Sequence, residues 1–174
     1  MFELLDISKI LIDGGIATLL FTIIVLGMLL YNPRLFLGGN DFPPDIVAAA
    51  PPQTQREKRI SILLTIPFTL LVVGIPIYST LSFNSQLGGD APFWPLFWHT
   101  FGVIMMPFLF DLIVLDWWMF CTLTPKFVVI PGTEGFAGYK DKLFHLKAHS
   151  RGLLYMIAAS LFIAGLINFF HLSV

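Results

Sequence analysis

Two groups of acid and imidazole side chains carry most of the chemistry open to this chain. The first is Asp111 and Asp116, set in the apolar run 93–131 among internal prolines and aromatic side chains. A carboxylate in a membrane-crossing segment is expensive in hydrocarbon. By default it marks a cation, proton or substrate-amine site, or a polar group that neighbouring helices satisfy. The two acids are five residues apart, about 140° around an α-helix, so they are not expected to share a face unless the helix breaks at Pro107 or beyond. Thr22, Thr69 and Ser160 fall at a similar depth when counted from the ends of their apolar runs. Ser61, Thr65 and Thr69 also recur every four residues, which stacks them on one helix face. The expectation is a buried polar, ligand-binding layer made of Asp111, Asp116, Thr22, Thr65, Thr69 and Ser160. If Trp117 and Trp118 form the inner aromatic belt, Asp116 instead sits near the interface and its charge is unexceptional.

The second group is Asp141, His145 and His149, at four-residue spacing in the polar segment behind that run. On a helix this spacing puts all three side chains on one face, where two histidines can grip a zinc ion, with Glu134 in the upstream turn as a further oxygen donor. Against a metal stand Lys140, Lys142, Lys147 and Arg151 on the same stretch, which suit a helix lying on anionic headgroups. The other two histidines, His99 and His171, fall at the opposite ends of the third and fourth apolar runs. A facing pair there could ligate a haem, although histidines at an interface commonly serve as hydrated polar tips. No GxSxG, Walker, HExxH or GxGxxG pattern is present, and no cofactor is specified.

The elements that must position these groups follow from composition. Of 174 residues, 56% are hydrophobic and 12% charged, about half the charged share of an ordinary soluble domain. A net charge of −1 leaves no basic footprint for nucleic acid, and the single cysteine, Cys121, excludes an intrachain disulfide. The start of the chain is acidic, without a small-x-small cleavage pattern, so the first apolar run is expected to stay in the mature protein. Residues 1–12, with Phe2 and Glu3 among them, read as a short amphipathic lead-in.

Four spans are expected, at about 15–31, 60–81, 98–123 and 152–170, joined by polar loops at 32–59 and 124–151. Pro67 and Pro76 are expected to kink the second. Nine of the ten Lys and Arg residues lie in those two loops. The positive-inside rule then places both loops in the cytoplasm, with both termini and the 82–92 turn outside a bacterial-type plasma membrane. Ser160 and Ala164 offer a small-residue face for close helix packing, internal or against a partner.

Asn32-Pro33-Arg34 recurs as Thr124-Pro125-Lys126, and Arg59 as Arg151, at an offset of 92 residues. Two parallel helical-hairpin repeats would produce this, and so would a common way of ending spans. The fold expected is an all-α integral membrane protein, a four-transmembrane-helix bundle forming a single polytopic membrane domain. The leading functional expectation is a non-enzymatic ligand-binding, carrier or accessory subunit, with the bilayer and a membrane-protein partner or second copy as partners. The alternatives are a membrane metalloenzyme acting on a lipid-type substrate at the cytoplasmic face, and a haem-binding subunit.

Overall fold

A computed structural model describes residues 4–39 and 41–174. Phe2, Glu3 and Asn40 lie outside the described residues. Four long helices dominate: α1 (Ile7–Tyr31), α3 (Gln55–Gln86), a rod that starts as α4 (Phe93–Phe110) and continues to Leu123, and α5 (Lys142–Phe170). Each is long and apolar enough to cross a membrane. Among the described residues there is no β-strand. The short helix α2 (Pro44–Ala49) and 3-10 turns at Pro33–Phe36, Lys126–Val128 and Ala137–Lys140 fill the two polar segments.

The helices outrun the apolar stretches that announce them. The 32 residues of α3 rise about 48 Å, against a bilayer core of about 30 Å. Its start is fixed by a capping box, in which Glu57 N–H donates to Thr54 Oγ1 at 3.2 Å and Thr54 N–H donates to Glu57 Oε2 at 2.7 Å. Glu57 also takes Arg34 Nε at 2.7 Å and Asn32 Nδ2 at 2.9 Å. One carboxylate thus ties the end of α1 to the start of α3. The helical assignment runs unbroken through Pro67 and Pro76. The largest departure is in α5. The stretch carrying His145 and His149 is not a separate surface helix but the first two turns of the fourth rod, started by Asp141, whose Oδ1 accepts from Phe144 N–H at 2.9 Å.

Contacts gather into two compact units, each drawing a segment from all four long helices. In the first (Met1–Phe21, Thr69–Leu109, Arg151–Val174), Phe83, Leu96, Phe97, Ile163, Ala164 and Ile167 form the apolar core. Ser160 and Ala164 are fully buried there, so the small-residue face of α5 serves internal packing. Asn84 clamps the 82–92 turn, donating to Gly89 O and Leu172 O and accepting from Ala91 N–H.

In the second unit (Thr22–Phe68, Phe110–Ser150), the two loops pack on each other around Ile46, Val128, Ile130 and Tyr139, all at most 2% exposed. Tyr139 Oη accepts from Ile130 N–H at 2.9 Å and pairs with Thr133 Oγ1 at 2.7 Å. Asp45 Oδ2 on α2 accepts from Gly138 N–H at 2.9 Å. A Cβ at Gly138 would run into that carboxylate, so only glycine allows the approach. The two elements so joined, α2 and the turn at Ala137–Lys140, fall at about the same 92-residue offset as the Pro-basic pair.

Candidate metal centre

The third rod changes winding halfway. Phe110 is still α-helical, at φ −62° and ψ −42°, but Asp111–Leu123 is π-helix, thirteen residues long. Thr124 N–H donates five residues back to Met119 O at 2.9 Å, and Thr122 Oγ1 reaches Trp117 O at 2.7 Å. Pro107, four residues before the switch, has no N–H to offer the α-helical ladder. Runs of π-helix are rare, mostly single turns, and concentrate at functional sites. Here the winding overturns the expectation that Asp111 and Asp116 diverge. With hydrogen bonds running five residues back, residues five apart stack one turn above another. Asp111, Asp116 and Cys121 therefore line one stripe.

On α5, His145 and His149 form a second stripe at the α-helical spacing of four, and the two stripes interleave. His145 Nδ1 donates to Asp116 Oδ2 at 3.1 Å, and the Cys121 thiol is a further neighbour of the ring. His149 lies 3.5 Å from Asp111 Oδ2 through Nε2 and 3.6 Å from Asp116 Oδ2 through Nδ1. His149 Nδ1 is also 3.1 Å from the His145 carbonyl oxygen. In a neutral ring, an N–H donated to that carbonyl would leave the Nε2 lone pair for a metal ion held between His149 and Asp111.

Asp111, Asp116 and His149 each present a donor atom, and all three lie within 4.8 Å of one another. The 3.5 Å edge from His149 to Asp111 is long for a hydrogen bond. It is close to the roughly 3.3–3.4 Å that separates two donors bonded at about 2.0–2.1 Å to one tetrahedral zinc ion. His145, only 4% exposed, fits a supporting role, orienting a ligating carboxylate as such partners do around metals.

Aromatic packing holds this arrangement. Phe120 stands edge-on to His145 at 5.1 Å and meets Phe42 at 5.6 Å and Tyr139 at 5.5 Å. Phe42 brings Asp41 alongside. Asp41 keeps an exposed edge, but the surrounding protein and the charges of Asp111 and Asp116 push its carboxyl up to about 6, with His145 opposing.

The other expected site residues go elsewhere. Glu134 is exposed and folds onto Gly132 N–H, accepting at 2.9 and 3.1 Å, and Asp141 is the exposed cap of α5. The metal set expected as Glu134, Asp141, His145 and His149 is thus divided, and its histidines join Asp111 and Asp116 instead. The hydroxyls of Thr65 and Ser160 turn to their own helices. Thr65 Oγ1 donates to Ser61 O at 3.0 Å and Ser160 Oγ to Met156 O at 2.7 Å, each within its own helix. Thr22 is half-buried and Thr69 exposed.

His99 is fully buried, stacked on Phe83 with ring centroids 4.3 Å apart, and its Nε2 meets Ser79 Oγ at 2.8 Å. His171 is at the surface, 3.0 Å from Asp90. The two rings proposed for haem therefore sit in different surroundings, one fully buried and one at the surface.

Several contributors give no local signal in sequence. Asp41 and Cys121 come near the ladder only through folding, and a separate chain of Lys9, Asp13, Ser79 and His99, within the first unit, is likewise assembled only by folding. There Lys9 Nζ meets Asp13 Oδ2 at 2.9 Å, and Ser79 Oγ donates to the same oxygen at 2.6 Å. The capping box at Thr54 and Glu57 was legible as Thr-x-x-Glu before an apolar run.

Compared with known proteins, the chain matches no family model, no curated protein and no solved structure.

Proposed function

We propose that the chain is a small multi-pass membrane protein that binds one divalent transition metal through Asp111, Asp116 and His149. His145 holds Asp116, and the site lies near the cytoplasmic ends of the third and fourth spans. The single observation that supports this most is the convergence of three donor atoms within 4.8 Å on two rods. A π-helix is needed to bring the two acids onto one stripe. Mixed carboxylate and imidazole donors suit zinc, manganese or ferrous iron better than a soft, thiolate-preferring ion. Both termini are outside and both long loops inside, as the basic residues argue.

The role is that of a metal-binding carrier or accessory subunit. A catalytic version is favoured by one feature. Three protein donors leave a coordination position for water, the arrangement of catalytic rather than structural zinc sites.

Metal stoichiometry tests the reading. The purified chain, loaded with zinc or manganese and desalted, should retain about one ion per chain, and Asp111→Asn, Asp116→Asn and His149→Ala should each lower affinity by at least about 10-fold. Glu134→Gln and Asp141→Asn should retain the metal. Substoichiometric metal in the wild type, or losses at Glu134 and Asp141 instead, would defeat the assignment.

A further inference from the structure

Within the second unit, α1, α3 and the first loop enclose a groove of about 630 Å³, well inside the size range of small-molecule sites. Half-buried Val25, Met28, Leu64 and Phe68 give it an apolar floor, with Ser61, Thr65 and Gln53 also in the lining, and its charged lining residues, Asp41 and Lys58, are exposed at its mouth. A second furrow of about 430 Å³ shares Met28 and Leu64 with it and is apolar apart from the Tyr31 hydroxyl. We infer that the groove seats one zwitterionic amino-phospholipid, its phosphate at Lys58 and its ammonium at Asp41, with the acyl chains in the two apolar furrows.

The groove and such a lipid are complementary in charge. Both mouth residues are exposed, and among the described residues neither makes an ion pair. A mouth with one anion and one cation, not paired with each other, is matched by a headgroup carrying both signs. An anionic headgroup would satisfy Lys58 and leave Asp41 without a counter-charge. The apolar floor then asks for hydrocarbon rather than a soluble zwitterion. The neighbouring basic residue Arg34 does not compete for the phosphate, because Glu57 already holds it at 2.7 Å.

The inference rests on the membrane reading above, and not on the metal. The full chain in detergent is given equal amounts of phosphatidylethanolamine and phosphatidylglycerol, and bound lipid is counted by native mass spectrometry. The wild type should retain phosphatidylethanolamine about fivefold better, the worth of roughly one charge contact at a bilayer surface. Asp41→Lys should turn the preference toward phosphatidylglycerol. Leu64→Trp, which fills the place where the furrows meet, should lower retention of both lipids.

Equal retention by the wild type, or an unchanged ratio in Asp41→Lys, would overturn the assignment. So would equal retention of soluble O-phosphoethanolamine, which needs no hydrocarbon floor. A chain that stays dispersed without detergent would instead remove the membrane reading itself, so the two failures are distinguishable.

Discussion

Replacing Asp116 by leucine should injure the fold through His145 rather than through the lost acid. His145 is 4% exposed, and its Nδ1–H is held by Asp116 Oδ2 at 3.1 Å. Its Nε2 has no N or O hydrogen-bond partner among the described residues. Asp116→Leu therefore strands a buried N–H, at a cost of about 1–3 kcal/mol. For a chain of this size that is about 2–4 °C of melting temperature per kcal/mol.

His145→Leu alone leaves a partly buried carboxylate without its donor and should cost a similar amount. The double variant Asp116→Leu/His145→Leu removes both needs together. Replacing both partners by apolar groups of similar size is nearly neutral in comparable cases. The two single losses should therefore exceed the double loss by at least about 1 kcal/mol. The assay is denaturant unfolding in detergent micelles with a metal chelator present, so that metal binding does not contribute. Trp117 and Trp118, next in sequence to Asp116, report it by fluorescence. Losses that add to within about 0.5 kcal/mol would refute the contact as an energetic pair.

Two further outcomes follow from the same geometry. The Asp41 carboxyl, ordinarily near 3.8, is pushed up to about 6 in the folded chain. Between those values the folded state binds its proton more tightly than the unfolded state does, so this contribution is full at the acid end and is lost as pH rises through about 6. The stability advantage of Asp41→Asn over the wild type should accordingly grow from about pH 4 to about pH 6 and then level off; a constant difference across that range would contradict it. For orientation, Asp90→Cys should react with an impermeant maleimide on intact cells and Glu134→Cys only after lysis, while native Cys121, 2% exposed, stays silent. The reverse pattern would invert the proposed topology.

Much of the architecture was legible because long apolar runs have few alternatives. Four helices follow from four runs, and Asn32-Pro33 and Thr124-Pro125 mark where two of them end. The capping residues Thr54 and Asp141 extend α3 and α5 beyond their apolar stretches, which is why counting hydrophobic residues alone made these helices too short. The site was half legible. Asp111, Asp116, His145 and His149 stand out by type, but periodicity assigned them to two separate constellations. An α-helical count of 3.6 residues per turn sends Asp111 and Asp116 apart, and no local sequence rule announces thirteen residues of π-helix. The meeting of Asp116 with His145 also depends on packing between two rods, held by Phe42, Phe120 and Tyr139 from three separate segments. The hydroxyls misled because Thr65 and Ser160 satisfy themselves on their own helix carbonyls, an option a membrane helix always offers.

The most direct test of the metal centre is X-ray absorption at the zinc edge on the zinc-loaded wild-type chain. A first shell of oxygen and nitrogen at about 2.0–2.2 Å with scattering from a single imidazole is the predicted result, and that imidazole signal should vanish in His149→Ala. A sulfur at about 2.3 Å, placing Cys121 on the metal, or two imidazoles with no change in His149→Ala, would contradict the Asp111, Asp116 and His149 assignment.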